Sequence, residues 1–254
     1  MATLTTLPFD YEHAGLDFGG VLVSGERPNA PAVLVFHGME GRSDAQVEFC
    51  RLLAELGYRA VAVDLFGRAV TAAGPDGCAA AMDAFLKDRR ALRDRIIGVV
   101  DTIRDLPGID DDAIAAIGFC FGGLCVLDAA RHGVQLRAVG AFHGLLTPLP
   151  DASDAPIHPK IAVYHGWADP LAPPADVVAL AAELTARGAD WQLHAYGHAM
   201  HAFMATFANA PERGIQYDEK TYRRAWASLV DFLDETFANQ VSWGAPAPAP
   251  GCAE

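Results

Sequence analysis

The residues best suited to chemistry lie in a short turn near the middle of the chain, Gly118-Phe119-Cys120-Phe121-Gly122. This is the G-x-C-x-G form of a nucleophile elbow, a tight strand-to-helix turn that presents a nucleophile at its tip. The positions two before and two after the nucleophile must be small because neighbouring backbone crowds them. We therefore predict that Cys120 is a nucleophile; the alternative is a buried structural cysteine. Cys125 lies inside the following helix and is expected to pack.

A cysteine nucleophile needs a histidine to take its proton and a carboxylate to orient that histidine, in the chain order nucleophile, acid, histidine. The acid should follow a late strand, as Asp169 does. Asp176 is the competitor, but it lies on the next helix, where an N-terminal negative charge has a structural use. The histidine should follow the last strand, and the segment YGHAMHAFM offers His198 and His201. Spacing alone leaves the choice between these two histidines open.

Two backbone N–H groups complete the predicted site. In an elbow enzyme, one N–H that stabilises the oxyanion belongs to the residue after the nucleophile, here Phe121. The other comes from the loop after the first parallel strand, where the sequence HGMEGRSD places Met39. Only the main chain of these two residues serves that role, so their side chains are not restricted by it.

A metal site is not expected, although His194, His198 and His201 form an H-x3-H-x2-H pattern. The first of these histidines falls in a strand-like segment and the other two in a loop, so no helix face gathers them. The sequence therefore predicts neither a metal nor a cofactor.

The hydrophobic pattern predicts the elements that position these residues. Nearly continuous apolar runs indicate buried strands, and amphipathic helices separate them, which implies a mostly parallel sheet with helices on both faces. The predicted strands are Ala32–Phe36, Tyr58–Leu65, Ala113–Phe119, Leu136–Phe142, Lys160–Tyr164 and Trp191–Tyr196, with Gly19–Val23 as an antiparallel edge strand. The predicted helices are about Ser43–Leu56, Ala79–Leu106, Gly122–His132, Ala175–Arg187 and Tyr217–Phe237.

Three of these strands end in an aromatic residue followed by His-Gly, at positions 36–38, 142–144 and 164–166. In a parallel sheet all three pairs would lie along the carboxyl edge, where ligands bind in open α/β sheets. The alternative for each histidine is structural, since histidine tolerates partial burial and glycine permits a sharp exit from a strand.

Composition limits the function classes. The 254 residues, 52% of them hydrophobic, suit one α/β domain, predicted over 1–241, followed by a disordered Ala/Pro-rich tail over 242–254. The net charge of -13 argues against nucleic-acid and anionic-membrane partners, because phosphates would be repelled. The five cysteines have no C-x-x-C spacing, and the N-terminus lacks a basic region followed by an apolar run. These features predict a cytoplasmic protein with reduced thiols.

The motifs together resemble the dienelactone hydrolase family of α/β-hydrolase enzymes. The matching segments are GFCFGG at the elbow, VDLFGR at Val63–Arg68, GWADPLAP around Asp169 and HAF at His201–Phe203, in the family's order over nearly the whole chain. The resemblance implies the α/β-hydrolase fold. Because the family's histidine precedes a small residue and then phenylalanine, it also implies a triad of Cys120, Asp169 and His201.

The resemblance implies further roles and reveals two departures. In the family's enzymes, the arginine of the DLY-x-R segment helps to hold a substrate carboxylate, which makes Arg68 a candidate carboxylate binder; the alternative is a solvated surface arginine. A second substrate-binding arginine lies a few residues after the histidine in those enzymes, whereas here none precedes Arg213. A glutamate that controls ionisation of the cysteine is replaced by Gly38, and Glu40 can take that role only if the loop is reshaped.

The predicted activity is hydrolysis of a small-molecule carboxylic ester or lactone through a thioester on Cys120. Two alternatives stay open. One is a redox or detoxification protein that uses Cys120 as a peroxide-sensitive thiol, and the other is a non-catalytic binding module on a hydrolase scaffold. The physiological substrate and the oligomeric state are not predicted.

Overall fold

The computed structural model describes residues 3–151 and 153–238, so the predicted tail over 242–254 lies outside the described residues. One sheet of eight strands runs through the described part, in the order β1-β2-β4-β3-β5-β6-β7-β8. The strands are β1 (Thr5–His13), β2 (Leu16–Ser24), β3 (Ala32–Phe36), β4 (Arg59–Val63), β5 (Ile114–Phe119), β6 (Ala138–Phe142), β7 (Lys160–Gly166) and β8 (Trp191–Tyr196). The pairs from β4 to β8 are parallel, which confirms the predicted mostly parallel sheet.

Helices cover both faces of this sheet, as predicted. They are α1 (Asp44–Glu55), α2 (Arg68–Ala72), α3 (Pro75–Lys87), α4 (Arg89–Arg104), α5 (Phe121–Arg131), α6 (Pro174–Ala186) and α7 (Glu219–Phe237). Helices α1 and α7 contribute to one core, and α4, α5 and α6 contribute to the other. Strand β3 shows why the buried strands are apolar throughout. Its successive residues face opposite sides of the sheet, so that Leu34 packs into one core and Val35 into the other.

The single long helix predicted over Ala79–Leu106 is wrong, because the segment forms two helices, α3 and α4, that meet at Asp88. Asp88 leaves the helical conformation, with φ of -123° and ψ of 83°, and its side chain accepts a hydrogen bond from the Ala91 N–H at 2.9 Å. It therefore serves as the N-cap of α4, a role for which aspartate is strongly preferred.

The N-terminal part contains a strand that the sequence did not predict. Gly19–Val23 lies within β2 and is antiparallel to β4, but it is not at the edge, because β1 pairs along its whole length. Strand β1 alternates polar and apolar residues, and its inward-facing Phe9 and Tyr11 stack against each other with ring centroids 5.1 Å apart.

Two shorter elements follow β8. Strands β9 (Asn209–Ala210) and β10 (Ile215–Gln216) form a small hairpin closed by the 3-10 turn Pro211–Arg213. No described helix is both long enough and apolar enough to cross a membrane.

The carboxyl edge of the sheet gathers residues from the ends of three neighbouring strands, β5, β6 and β7. The strand register aligns three aromatic residues whose rings stack at 5.1 and 4.4 Å: Phe119, Phe142 and Tyr164. The residues that come next in each strand therefore lie side by side at this edge: Cys120, His143 and His165.

Candidate active site

Cys120 occupies the tight turn between β5 and α5. Its φ of 55° and ψ of -117° are strained for a residue with a side chain. A Cβ atom on Gly118 would lie 2.0 Å from the Gly122 carbonyl oxygen, and one on Gly122 would lie 2.4 Å from the carbonyl oxygen of Phe36. Neighbouring backbone therefore requires glycine at both positions. The turn leaves Cys120 partly exposed between buried neighbours.

Asp169 lies in a turn just past β7 and is buried. Its N–H donates to the Gly166 carbonyl at 3.0 Å, and its Oδ1 accepts from the Leu171 N–H at 2.8 Å. Its second oxygen, Oδ2, is 2.8 Å from Nδ1 of His201. Asp176, the alternative acid, lies in the first turn of α6. The structure thus brings Asp169 to the histidine.

His201 is held by the β9–β10 hairpin through its backbone. Its N–H donates to the Gly214 carbonyl at 2.9 Å, and its own carbonyl accepts from the Gln216 N–H at 3.0 Å. Because Nδ1 donates to Asp169, Nε2 is the nitrogen left to take a proton. Nε2 makes no hydrogen bond of full geometry with a described residue, although Cys120 lies close enough to act on the ring; such contacts often tighten only when substrate binds. His198 is exposed in the turn before it.

The surroundings of His201 favour its protonated form. Burial alone lowers the pKa of this imidazole, but the hydrogen bond to Asp169 and the neighbouring Cys120 outweigh burial and raise the pKa to about 10. An imidazolium that persists above neutral pH is a suitable counterion for a thiolate.

A pocket of about 340 Å³ contains both Cys120 and His201. Most of its lining is apolar and includes the rings of Phe49, Phe119 and Tyr222. Phe49 and Phe119 stack with centroids 4.3 Å apart, so this wall is a fixed aromatic surface. A concave apolar surface beside a few polar groups is typical of a small-molecule site.

Of the two residues predicted to stabilise an oxyanion, Phe121 follows the cysteine directly and Met39 lines the same pocket. Phe121 begins α5, and N–H groups in the first turn of a helix have no acceptor within the helix and lie at its positive end. Met39 lines the pocket on the loop after β3. The preceding residue, Gly38, lies so close that a Cβ atom on it would be 3.3 Å from the Cys120 Cβ.

Glu40 folds back over Gly38. Its Oε1 accepts hydrogen bonds from the Gly38 N–H at 3.3 Å and from the Gln46 side chain at 3.0 Å. A Cβ atom on Gly38 would lie only 2.6 Å from Glu40 Oε2. The carboxylate therefore fills the space that a side chain at position 38 would take, and it lines the same pocket as Cys120. Gln46, which holds it there, was not singled out from the sequence.

Arg68 lies outside the pocket that contains Cys120. Its guanidinium pairs with Asp10 on the unpredicted strand β1 and covers Gly19, where a Cβ atom would come within 2.9 Å of it. The structure therefore does not bring this arginine to the nucleophile. Arg213, which sequence reasoning set aside because of its distance from the histidine, lines the pocket instead, since the hairpin folds back.

The three aromatic-His-Gly motifs have three different environments. His37 is structural: its Nε2 accepts from the Leu65 N–H at 3.1 Å, and its Nδ1 lies 2.7 Å from the Gly38 carbonyl, to which it donates. Burial lowers the pKa of His37. His143 lines the pocket, whereas His165 is buried outside it.

The described residues contain no group of three or more His, Cys, Asp or Glu side chains placed to hold a metal ion. His194 lies on β8, where its ring stacks on Tyr164 with centroids 5.4 Å apart. The spacing of the three histidines in sequence thus does not correspond to a cluster in space.

Comparisons with known proteins agree with this fold. A sequence model of the dienelactone hydrolase family matches residues 18–237. A putative carboxymethylenebutenolidase of Yersinia pestis is 26% identical over 81% of this chain and 78% of its own. Two solved structures are also similar: m3DLH (TM-score 0.83, 33% identity, 92% of this chain and 98% of that one), and a dienelactone hydrolase-like promiscuous phosphotriesterase from metagenomic libraries (TM-score 0.85, 30% identity, 93% and 99%).

The family match spans most of the chain, from β2 to the end of α7, and both solved relatives share the arrangement of the sheet and its helices. The chain therefore belongs to the dienelactone hydrolase family and is a hydrolase with the α/β-hydrolase fold.

Proposed function

We propose that the chain hydrolyses small carboxylic esters and lactones through a thioester on Cys120, with His201 as the acid-base group and Asp169 as its orienting carboxylate. The observation that carries this proposal is the 2.8 Å contact between His201 Nδ1 and Asp169 Oδ2 in a pocket shared with Cys120. It supports a triad because it leaves Nε2 of His201 for the nucleophile.

The reaction has two halves. His201 takes the thiol proton, the Cys120 sulfur attacks the carbonyl carbon, and the N–H groups of Phe121 and Met39 stabilise the oxyanion, each contributing on the order of 3 kcal/mol. His201 then gives its proton to the leaving alkoxide as the C–O bond breaks. In the second half, a water loses a proton to His201 and attacks the thioester, and the acid leaves as the C–S bond breaks.

The pocket favours substrates with an apolar or aromatic group. Its lining is mainly apolar, and Arg68, the residue first considered for a substrate carboxylate, is paired with Asp10. Arg68 could bind a substrate carboxylate only after its side chain had broken the ion pair with Asp10. Activated carbonyls, such as enol lactones and aryl esters, suit a thiolate nucleophile better than amides do, since an amide has a poor leaving group.

We further propose that Glu40 modulates Cys120. Its negative charge lies across Gly38 from the cysteine, and a charge of the same sign nearby disfavours a thiolate.

The test compares Cys120→Ala with the wild type on p-nitrophenyl esters of increasing acyl length, with and without a free carboxylate. We expect at least a 100-fold loss of turnover in the variant, and a wild-type preference for the neutral apolar esters. Cys125→Ala, a change outside the pocket in the helix that follows the turn, is the matched control and should retain activity.

Full esterase activity in Cys120→Ala contradicts the proposal. Stoichiometric oxidation of Cys120 by peroxide without any ester turnover would instead support the redox alternative. An unreactive Cys120, measured as a slow alkylation rate, would support the binding module.

A further inference from the structure

His143 is a buried histidine in the reaction pocket that the triad does not use. It follows β6 directly, and the residue lines the pocket together with Cys120 and His201. The residue is only 2% exposed, and its φ of 36° is unusual for a residue other than glycine. Strain of this kind persists only where the surrounding structure enforces it, and it clusters at functional sites.

The ring of His143 packs well, but its nitrogens are not satisfied. Its centroid lies 5.2 Å from that of His201 and 5.1 Å from that of Phe203, both in edge-to-face geometry. Neither ring nitrogen has a hydrogen-bond partner in any other described residue. Most buried polar groups are hydrogen-bonded, and a phenyl ring would make the same edge contacts. Packing alone therefore does not account for a histidine at this position of the pocket.

His143 stays neutral while His201 carries its proton. Burial, reinforced by the neighbouring His201, holds the pKa of His143 well below its usual value. A neutral imidazole has one N–H donor and one nitrogen lone pair. His143 can therefore accept a hydrogen bond beside the triad without competing with His201 for the proton of Cys120.

We propose that His143 is a positioning residue that binds the hydrolytic water of the second half-reaction, accepting a hydrogen bond from it at its unprotonated nitrogen. This rests on the thioester mechanism proposed above. The water oxygen attacks the thioester carbon, one water proton passes to Nε2 of His201, the C–S bond breaks, and Cys120 leaves as the thiolate. His143 neither gains nor loses a proton. Formation of the thioester needs no such water and is independent of His143.

The test follows p-nitrophenyl ester cleavage by His143→Phe before and during the steady state. We expect a burst of about one nitrophenol per enzyme at close to the wild-type rate, followed by steady-state turnover slower on the order of 100-fold. The acyl group should be visible as added mass on Cys120. Hydroxylamine, which attacks thioesters without an enzyme-bound water, should discharge it.

Two further variants separate this role from a structural one. His143→Asn tolerates a positive φ and retains hydrogen-bonding atoms, so it should recover part of the steady-state rate; His143→Leu replaces the phenylalanine variant if that one does not fold. His194→Phe, outside the pocket, is the control and should behave like the wild type.

The inference is overturned if the folded apolar variant loses the burst rate and the steady-state rate together, or if no acyl group accumulates. Failure of the thioester mechanism itself gives a different result. In that case Cys120→Ala keeps its turnover, whatever effect the His143 variants have.

Discussion

The protonation of His201 is set by Asp169 acting against burial. Burial disfavours the imidazolium, whereas the buried carboxylate and Cys120 stabilise it, and the result is a pKa of about 10. In the proposed mechanism, the protonated form delivers a proton to the leaving alkoxide. The rate of thioester formation should therefore hold through neutral pH and fall as the pH rises through about 10.

Asp169→Asn should move this alkaline limit to lower pH. The amide cannot stabilise the imidazolium as the carboxylate does, so the pKa of His201 falls and the protonated fraction at pH 8 falls with it. We expect a loss of roughly 100-fold in turnover at pH 8. The measurement is the pH dependence of the burst rate, with Asp176→Asn as the control; an unchanged alkaline limit would contradict the role given to Asp169.

Replacing Glu40 by glutamine should make Cys120 more reactive. Glutamine keeps an acceptor for the Gly38 N–H but removes the negative charge, so the thiolate becomes more favourable and alkylation by iodoacetamide at pH 7 should speed up by roughly threefold to tenfold. Glu48→Gln removes another carboxylate from the pocket lining, one that pairs with Arg51, and should have a smaller effect. Equal rates in Glu40→Gln and wild type would remove Glu40 from the site.

The residue types of the proposed triad could be predicted from the sequence, because a nucleophile elbow requires a nucleophile, an acid and a histidine in a fixed order. The surroundings of Cys120 were not. Arg68 and Asp10 are 58 positions apart, and their pairing depends on a strand that no strong apolar run signals. Arg213 reaches the pocket only because a short hairpin folds back onto His201. Such long-range pairings follow from tertiary packing, which local sequence does not encode.

At the scale of elements, a buried ionic cluster joins three helices. Arg89 at the start of α4 makes two hydrogen bonds to Asp128 on α5, at 2.8 and 2.6 Å. Arg131, one turn further along α5, contacts both Asp128 and Glu183 of α6. The cluster ties α4, α5 and α6 together on the face of the sheet that α5 covers.

Asp128→Asn should destabilise the fold. It leaves the buried Arg89 guanidinium without its carboxylate partner, while Arg131 keeps its pair with Glu183; an uncompensated buried charge costs about 3–5 kcal/mol in the free energy of unfolding. Asp101→Asn, which breaks an exposed pair with Arg104, should cost no more than about 1 kcal/mol. Urea unfolding of the two variants provides the comparison, and a similar small loss in both would show that the cluster does not tie the helices together.

The same cluster helps to explain why the two-helix arrangement of 75–104 was not predicted. The apolar periodicity runs through both α3 and α4, so it indicates one helix. The break depends on Asp88 acting as a cap and on Arg89 turning inward to Asp128. By contrast, β3 and β8 have the predicted bounds, because turn residues close both ends of each strand.

At the scale of the whole molecule, the packing of the two cores separates one cysteine from the others. Cys50, Cys78 and Cys125 are buried, and burial raises the pKa of each of these thiols. Cys120 is partly exposed at the sheet edge. The fold therefore shields the three packed thiols from solvent and leaves the Cys120 thiol accessible.

Alkylation of the native protein should follow this division. Iodoacetamide at pH 7 should modify Cys120 first, while the three buried cysteines react only after unfolding, since the reagent needs both access and a thiolate. Peptide mapping by mass spectrometry, with and without urea, measures each site separately and keeps Cys252, which lies outside the described residues, apart from the rest. Early labelling of Cys125 would contradict the packing of α5.

The three residues of the proposed triad are not equally anchored. Cys120 stands at the centre of the sheet, whereas Asp169 and His201 depend on β7, on β8 at the sheet margin and on a two-residue hairpin. Segments with little burial open locally before the whole chain unfolds. Mild heating should therefore open the β8 margin of the sheet first and abolish hydrolysis. Cys120 should keep its place in the turn after β5 and still react with thiol reagents.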